Sequence, residues 1–297
     1  MRHLYKLTKS KNLSNSTLIM YVGSYDENTK ILRIPSDVNE ILKNFPTGVK
    51  TLIFEEASNY VRQPSQFNKP VGNLPDSLIE IIFGYSFNQP INNLPDSITH
   101  LTFGQKFNQP VDNLPKNLTH LTFGDLFDKL VDNLPPNLTH LTFGDGFNQP
   151  VEHLPQNLTH LSFGSEFNCG LDSLPKNLTY LTVGARFDKD IKNIPKTIIE
   201  FAFDVKSNVK NNIPEFIETV TIYSTEAFND KKCNSKTIVS NLPSTIKQIN
   251  VRQKDLPFLN KIPFGCVVVY MNDSIIKERT LDTDSTSDVD ELMDIYY

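Results

Sequence analysis

Four histidines recur at intervals of 20 residues, His100, His120, His140 and His160, each standing two places ahead of a hydroxyl side chain: Thr102, Thr122, Thr142 or Ser162. Imidazole can ligate metals, move protons or stack on a neighbour, and spacing decides among these. With one histidine on each of four neighbouring strands, the rings lie about 5 Å apart on one sheet face. A zinc site needs a closed tetrahedral ligand set with supporting outer partners, and the flanking hydroxyls are poor ligands. The column therefore reads as a half-exposed aromatic ladder that stabilises a sheet and presents a recognition face. Protonating adjacent rungs would set like charges against each other. At its ends the same column holds Glu80 on one side, then Tyr180 and Glu200 on the other. Variation at a fixed place in a repeat marks a partner-contact surface, here with Tyr180 as its aromatic anchor.

Covalent and acid–base chemistry find little support. Gly-rich phosphate loops, Gly-x-Ser-x-Gly and His-Glu-x-x-His are absent from the sequence, and no catalytic nucleophile is recognised as paired in sequence with a base. Asp112, Asp132, Glu152 and Asp172 share a column bounded by turn residues and read as a solvated face. The expectation is a chain that is not an enzyme and carries no cofactor or metal. Cys169, Cys233 and Cys266 make an odd set without a Cys-x-x-Cys pair and read as small apolar filler. A formal net charge of −5 disfavours nucleic acid as a partner. The longest apolar run, Cys266 to Met271, is far short of the roughly 20 residues a membrane span needs. Asn-Leu-Thr triplets at Asn117, Asn137, Asn157 and Asn177 are formal glycosylation acceptors. Glycans on coils about 4.8 Å apart could not fit side by side. With the segment MRHLYKLTKSKN lacking the apolar stretch of a leader, the expected location is the cytoplasm.

Positioning the histidine column is the work of the period itself. Phe67, Phe87, Phe107, Phe127, Phe147, Phe167 and Phe187 are spaced by 20 residues, and the prolines Pro95, Pro115 and Pro135 and glycines Gly104, Gly124 and Gly144 keep the same interval. Leu118, Leu121 and Phe123 are apolar while His120 and Thr122 alternate with the last two, the period-2 signature of a short strand. One such strand cannot hide Phe107, Val111, Leu114, Leu118, Leu121 and Phe123, whereas stacked copies make a shared core. The fold class is a repeat solenoid with one short parallel strand per 20-residue coil, extended and turn-rich return segments, and little helix. Pro110 and Pro115 keep the return segment extended or turned, and Gly124 marks a sharp bend or a close approach. Asn88, Asn108 and Asn148, with Asn68 and Asn168, are placed to satisfy backbone groups of adjacent coils.

The run Phe-Asn-Gln-Pro followed by Leu-Pro-x-x-Leu-x-x-Leu-x-Phe-Gly resembles the FNIP repeat family of amoebae and the large DNA viruses that infect them. The likeness is strong over Phe67 to Phe203 and weaker from about Phe45 to Met271. It implies a leucine-rich-repeat-like interaction module, often coupled to an F-box that joins ubiquitin ligase machinery, and a host-cytoplasmic setting for a viral member. Ile34-Pro35 through Leu42 is similar to the opening helix of an F-box, but the first repeat core at Phe45 leaves no room for the remaining helices. Residues 1–44 are therefore expected to form a basic cap region with a short helix near 36–44. Residues 45–271 form a solenoid of about eleven coils, regular over 67–206 with insertions near 55–66 and 224–237, and 272–297 an acidic tail. The function expected is a protein-binding adaptor acting as a monomer or weak oligomer, its contacts made by His100, His120, His140, His160, Tyr180, Thr102, Thr122 and Thr142. The alternatives are a structural spacer or virion component, and the substrate-recognition part of a ubiquitin-ligase pathway with a degenerate or absent F-box.

Overall fold

The computed structural model describes residues 22–56, 64–225, 238–271 and 277–280. The chain is a β-solenoid of about eleven turns with almost no helix, and it divides into two units, Met1–Gly144 and Asp145–Tyr297.

In the first unit the strands are β1 (Ser24–Asp26), β2 (Ile31–Ile34), β3 (Thr51–Phe54), β4 (Glu80–Ile82), β5 (His100–Thr102), β6 (His120–Thr122) and β7 (His140–Thr142). They lie side by side in chain order. β1 pairs antiparallel with β2 and closes that edge, and every later pair is parallel. Register keeps each repeat position beside its own copy, as in His100↔His120 and Leu101↔Leu121.

One coil shows why the sequence folds this way. After the strand, Phe107 N–H donates to the Gly104 carbonyl across a tight turn (3.3 Å), and Leu118 N–H donates to the Pro115 carbonyl across a second (3.1 Å). Between them the chain passes through a further turn at Asp112 and Asn113 and forms no helix, as prolines at 110 and 115 favour. Each coil thus has a strand and a return side, and Phe107, Val111, Leu114, Leu118, Leu121 and Phe123 all point between them and are buried. Phe87, Phe107 and Phe127 are 0 % exposed, and their rings stack with centroids 6.1 Å apart. A second column, Phe83, Phe103 and Phe123, stacks at 5.6 Å and meets the first at 3.7 Å in Phe103–Phe107 and Phe123–Phe127. Full burial of one such side chain contributes roughly 1.5–3 kcal/mol.

Backbone donors buried by the stacking are met by the asparagine column. Asn68, Asn88 and Asn108 each accept, through Oδ1, the N–H of the residue one coil on: Asn88, Asn108 and Asp128, at 3.0 Å. In the second unit Asn148 and Asn168 do the same for Asn168 and Asp188. Asp188, which ends that run, is exposed and pairs with Lys189; that contact, then Asn168, holds its carboxyl below the usual range. The sequon asparagines are also engaged: Nδ2 of Asn117, Asn137 and Asn177 donates to the carbonyl of Asp96, Lys116 and Gln156.

Glycine is required by proximity. A Cβ on Gly124 would overlap the carbonyl of Gly104, one coil away, and a Cβ on Gly104 would overlap that of Gly84. Neither has a positive φ.

The second unit holds β8 (His160–Ser162), β9 (Tyr180–Val183), β10 (Glu200–Asp204), β11 (Thr219–Tyr223), β12 (Gln248–Val251), β13 (Val267–Tyr270) and β14 (Lys277–Thr280). β8 to β13 are parallel neighbours and β14 returns antiparallel on β13. The strict period stops where Ser207 falls in the phenylalanine column. Its buried hydroxyl donates to the Phe187 carbonyl (3.0 Å) and accepts Val209 N–H (3.3 Å), starting a 3-10 turn at Asn208–Asn211. The glycine column changes as well, running Gly184, Asp204, Tyr223 and then Arg252 after β12. Asp204 accepts Lys206 N–H, Thr225 N–H and the Thr225 hydroxyl. Buried Lys210 donates to the Val205 carbonyl at 2.7 Å; burial lowers its pKa and Asp204 opposes the shift. Tyr223 donates to the Val183 carbonyl (3.0 Å), and burial, then Asp204, push its pKa well up. Arg252 reaches the fully buried Asp255 (2.5 Å) and the Ser224 carbonyl (2.6 Å).

Residues 36–44 do not form the expected helix. Ile34 ends β2 opposite Phe54, Val38 N–H closes a turn on the Pro35 carbonyl (3.1 Å), and Asn39 accepts Asn68 N–H (2.9 Å). Val38, Asn39 and Leu42 thus occupy the places of Phe107, Asn108 and Val111, so the stretch is half of a further coil and the solenoid begins before residue 45. Pro35 follows a strand here because the turn after each strand begins at the place where later coils carry glycine. The same finding removes the F-box-like helix. Lys277–Thr280, expected within the acidic tail, form β14; the rest of 272–297, the cores of both insertions, Cys233 and the N-terminal 21 residues lie outside the described residues. Buried Cys266 fits the filler expectation, its thiol pushed up to about 11 by burial. Cys169 does not: it is half-exposed in the column of Gln109.

Two stability outcomes follow. Gly124→Ala should lower unfolding free energy in urea by roughly 1–3 kcal/mol through overpacking against backbone, while Gly170→Ala, whose Cβ would meet only Asp172 Oδ2 at 3.5 Å, should leave it unchanged. Arg252→Met should cost roughly 3 kcal/mol by stranding the Asp255 carboxylate, with Asp255→Asn in the same chain recovering part of the loss.

Candidate functional site

Side chains at the centre of each short strand alternate, so burying Leu121 turns His120 and Thr122 outward. Parallel register then aligns His100, His120 and His140, and Thr102, Thr122 and Thr142, on the outer face of the first unit. The imidazoles stack: His100–His120 and His120–His140 have ring centroids 4.2 Å apart and planes within 13° and 12° of parallel. All three are half-buried.

Each ring is fixed by the residue before it. Nδ1 of His100, His120 and His140 lies 2.8, 2.9 and 2.9 Å from the hydroxyl oxygen of Thr99, Thr119 and Thr139. Those hydroxyls also reach the carbonyl one coil back, Thr119 to Thr99 at 3.0 Å and Thr139 to Thr119 at 3.1 Å. A carbonyl only accepts, so a hydroxyl that gives its hydrogen to the carbonyl accepts from Nδ1–H. The ladder's edge at β4 is acidic: Glu80 sits opposite His100 and accepts from the Thr51 hydroxyl at 3.2 Å.

Among the described residues no group of three or more His, Cys, Asp or Glu side chains is arranged to hold a metal ion. Parallel rings aim their nitrogens side by side, whereas a tetrahedral site needs them to converge. The ladder can stack, accept and donate hydrogen bonds, and carry charge.

In the second unit His160 stacks on Tyr180 at 5.6 Å, and Tyr180 is followed in register by Glu200. The expected contact residues are thus brought together as one set on the first unit and one on the second. Sequence reasoning chose Thr102, Thr122 and Thr142 as the ladder's hydroxyl companions; the hydroxyls that touch the imidazoles are Thr99, Thr119 and Thr139. The Thr-His dipeptide, repeated at 99, 119, 139 and 159, carried that signal. The polar group of Asp204, Tyr223, Arg252 and Asp255 was missed, because it appears only where the glycine column breaks.

The FNIP Repeat family matches residues 67–106, 91–126, 107–146, 128–165 and 147–173. Residues 67–173 are FNIP repeats. Among solved structures the chain is similar to CroV588, described as a novel circular leucine-rich-repeat protein, with 29 % identity and a TM-score of 0.55. That likeness covers 85 % of this chain and 45 % of CroV588, so the chain spans less than half of that protein's length. It is also similar to YopM from Yersinia enterocolitica WA-314, at 21 % identity and a TM-score of 0.46, over 79 % of this chain and 53 % of YopM. No curated protein matches. The FNIP match ends at 173, yet parallel pairing continues within the second unit to β13, so the coil outlasts its sequence signature. No helix of the described residues is long and apolar enough to cross a membrane.

The hydrogen-bond logic of the FNIP histidines is open to nitrogen NMR. At neutral pH the His120 imidazole should show the Nδ1–H form, and Thr119→Val, which removes its acceptor, should shift it toward the Nε2–H form that dominates in free imidazole side chains.

Proposed function

We propose that this chain is a non-enzymatic protein-interaction scaffold that binds a partner protein through the outer strand face of its FNIP repeats and the turns beside it. One observation carries the proposal: within the repeats, inward columns are nearly constant and buried, while the outward column is half-exposed or exposed and changes from Glu80 to histidine and, in the second unit, from His160 to Tyr180 and Glu200. A column released from packing can be shaped by recognition. The leucine-rich-repeat-like fold, commonly a protein-binding scaffold, supports the reading. So do the residue pairs after each glycine, no two of which are the same, for example Gln105-Lys106 against Asp125-Leu126, with Leu126 55 % exposed.

In this proposal His100, His120, His140, Thr102, Thr122 and Thr142 form the contact set of the first unit, and His160 and Tyr180 that of the second. The chain works in the cytoplasm as a monomer or weak oligomer, with neither nucleic acid nor membrane as partner.

Quantitative affinity purification tests it. Wild-type bait should saturate with one partner protein, and Thr122→Arg, which adds bulk and charge to the face without touching the core, should reduce capture at least about tenfold at an unchanged melting temperature. Capture indifferent to Thr122→Arg and to Tyr180→Ala would move the interface off the strand face.

A further inference from the structure

We infer that residues 281–297 fold back on the last described coil of the second unit, seating the apolar side chains of Leu292–Tyr297 on the exposed Phe264 and its neighbours and their carboxylates near that coil's lysines. The result is a cap made from the chain's own sequence.

The repeat itself defines the seat. In each coil of this unit an apolar residue precedes the proline that opens the turn before the strand. Leu174, Ile194 and Ile213 are buried at that place, whereas Leu242 and Ile262, in the last two coils, are only half-buried. Cys266 N–H closes the last such turn on the Pro263 carbonyl (3.1 Å), as Leu178 N–H does on Pro175 (3.2 Å). Phe264 thereby takes the place that holds Lys176, Lys196, Glu215 and Ser244 in earlier coils. It is 80 % exposed, more than any other large apolar side chain of the described residues. A stacked array needs a polar outer cover on its terminal coil, and this coil instead turns apolar.

Path, reach and charge select the occupant. β14 runs antiparallel on β13 and pairs Thr280 with Val267, three residues after Phe264, so residue 281 leaves beside the seat. An extended chain advances about 3.3 Å per residue, so Leu292 can turn back onto so near a place with length to spare. Residues 238–271 carry Lys247, Arg252, Lys254 and Lys261 against one carboxylate, the buried Asp255, which Arg252 already holds. Lys261 is exposed and three residues ahead of Phe264, and the Lys247 carbonyl accepts Val267 N–H (2.9 Å) while its ammonium pairs with exposed Glu218 (2.7 Å). Residues 281–297 carry six Asp or Glu and no Lys or Arg, with Glu291 and Asp294 set among Leu292, Met293, Ile295, Tyr296 and Tyr297. Apolar and charged groups therefore match on both sides. A second copy packing Phe264 against Phe264 would instead bring two such basic coils together.

Amide hydrogen exchange on the full chain, read by mass spectrometry, is the test. Exchange over Leu292–Tyr297 should run at least about tenfold slower than in a free peptide of residues 281–297, and at the same rate at every protein concentration. Phe264→Asp should return it to the free-peptide rate while β9 to β12 keep their protection. Leu292→Asp combined with Met293→Asp, which alters the segment and leaves the coil as it is, should do the same. Lys261→Glu should cut the protection about threefold, the scale of an exposed ion pair. Free-peptide exchange in the wild type, protection that survives Phe264→Asp or the paired substitution, or protection that grows with protein concentration, the mark of a second copy, would each overturn the inference.

Discussion

Close backbone approach at the glycine seam is the constraint on which each unit depends. In the regular coils the turn after the strand lies so near its copy one coil back that no Cβ fits between Gly104 and Gly124. That proximity brings like side chains within contact: phenylalanines at 6.1 and 5.6 Å, imidazoles at 4.2 Å, asparagine oxygens at hydrogen-bond distance from the next amide. Because identical groups must tolerate one another at such distances, the stack favours types that attract their own copies. Aromatic rings gain from offset stacking. Amides do so because they donate and accept at once, which carboxylates cannot.

The same requirement explains the histidines. An outward column in a parallel ladder meets its own copy on both sides, and a charged residue would repeat its charge up the face. Neutral imidazole stacks and shares a hydrogen bond with the hydroxyl of the preceding threonine. Single charged residues stand where the run ends, Glu80 in the first unit and Glu200 in the second.

Most of this architecture was legible in the sequence because a fixed interval reports stacking directly. The phenylalanine, asparagine and proline columns could each be assigned a place in the coil from period and chemistry, and the structure puts them there. Residues 31–44 were harder: Val38, Asn39 and Leu42 keep the spacing of Phe107, Asn108 and Val111 but not their identities, and Ile34-Pro35 imitates a helix start. There, apolar spacing was the truer guide than residue type. The threonines that lock the imidazoles were visible only as a dipeptide, since hydrogen-bond direction across coils is a property of register. The second unit's polar seam was not legible, because Asp204, Tyr223 and Arg252 lie 19 and 29 residues apart, and insertions hide their common column.

That seam shows what becomes of the constraint when glycine is given up. Once Asp204 and Tyr223 replace it, backbone contact can no longer set the spacing, and side-chain hydrogen bonds take over: Asp204 gathers the amide of Thr225, and Tyr223 reaches across to the Val183 carbonyl. Such links are directional, so each coil needs its own solution, and the repeat loses its uniformity at that point. Uniform coils suit a face built from one repeated chemistry, as in the imidazole ladder. Individual coils permit insertions, because a coil held by its own side chains does not require its neighbour to have the same length. The 29-residue step between Tyr223's coil and the next is the length variation that this arrangement allows.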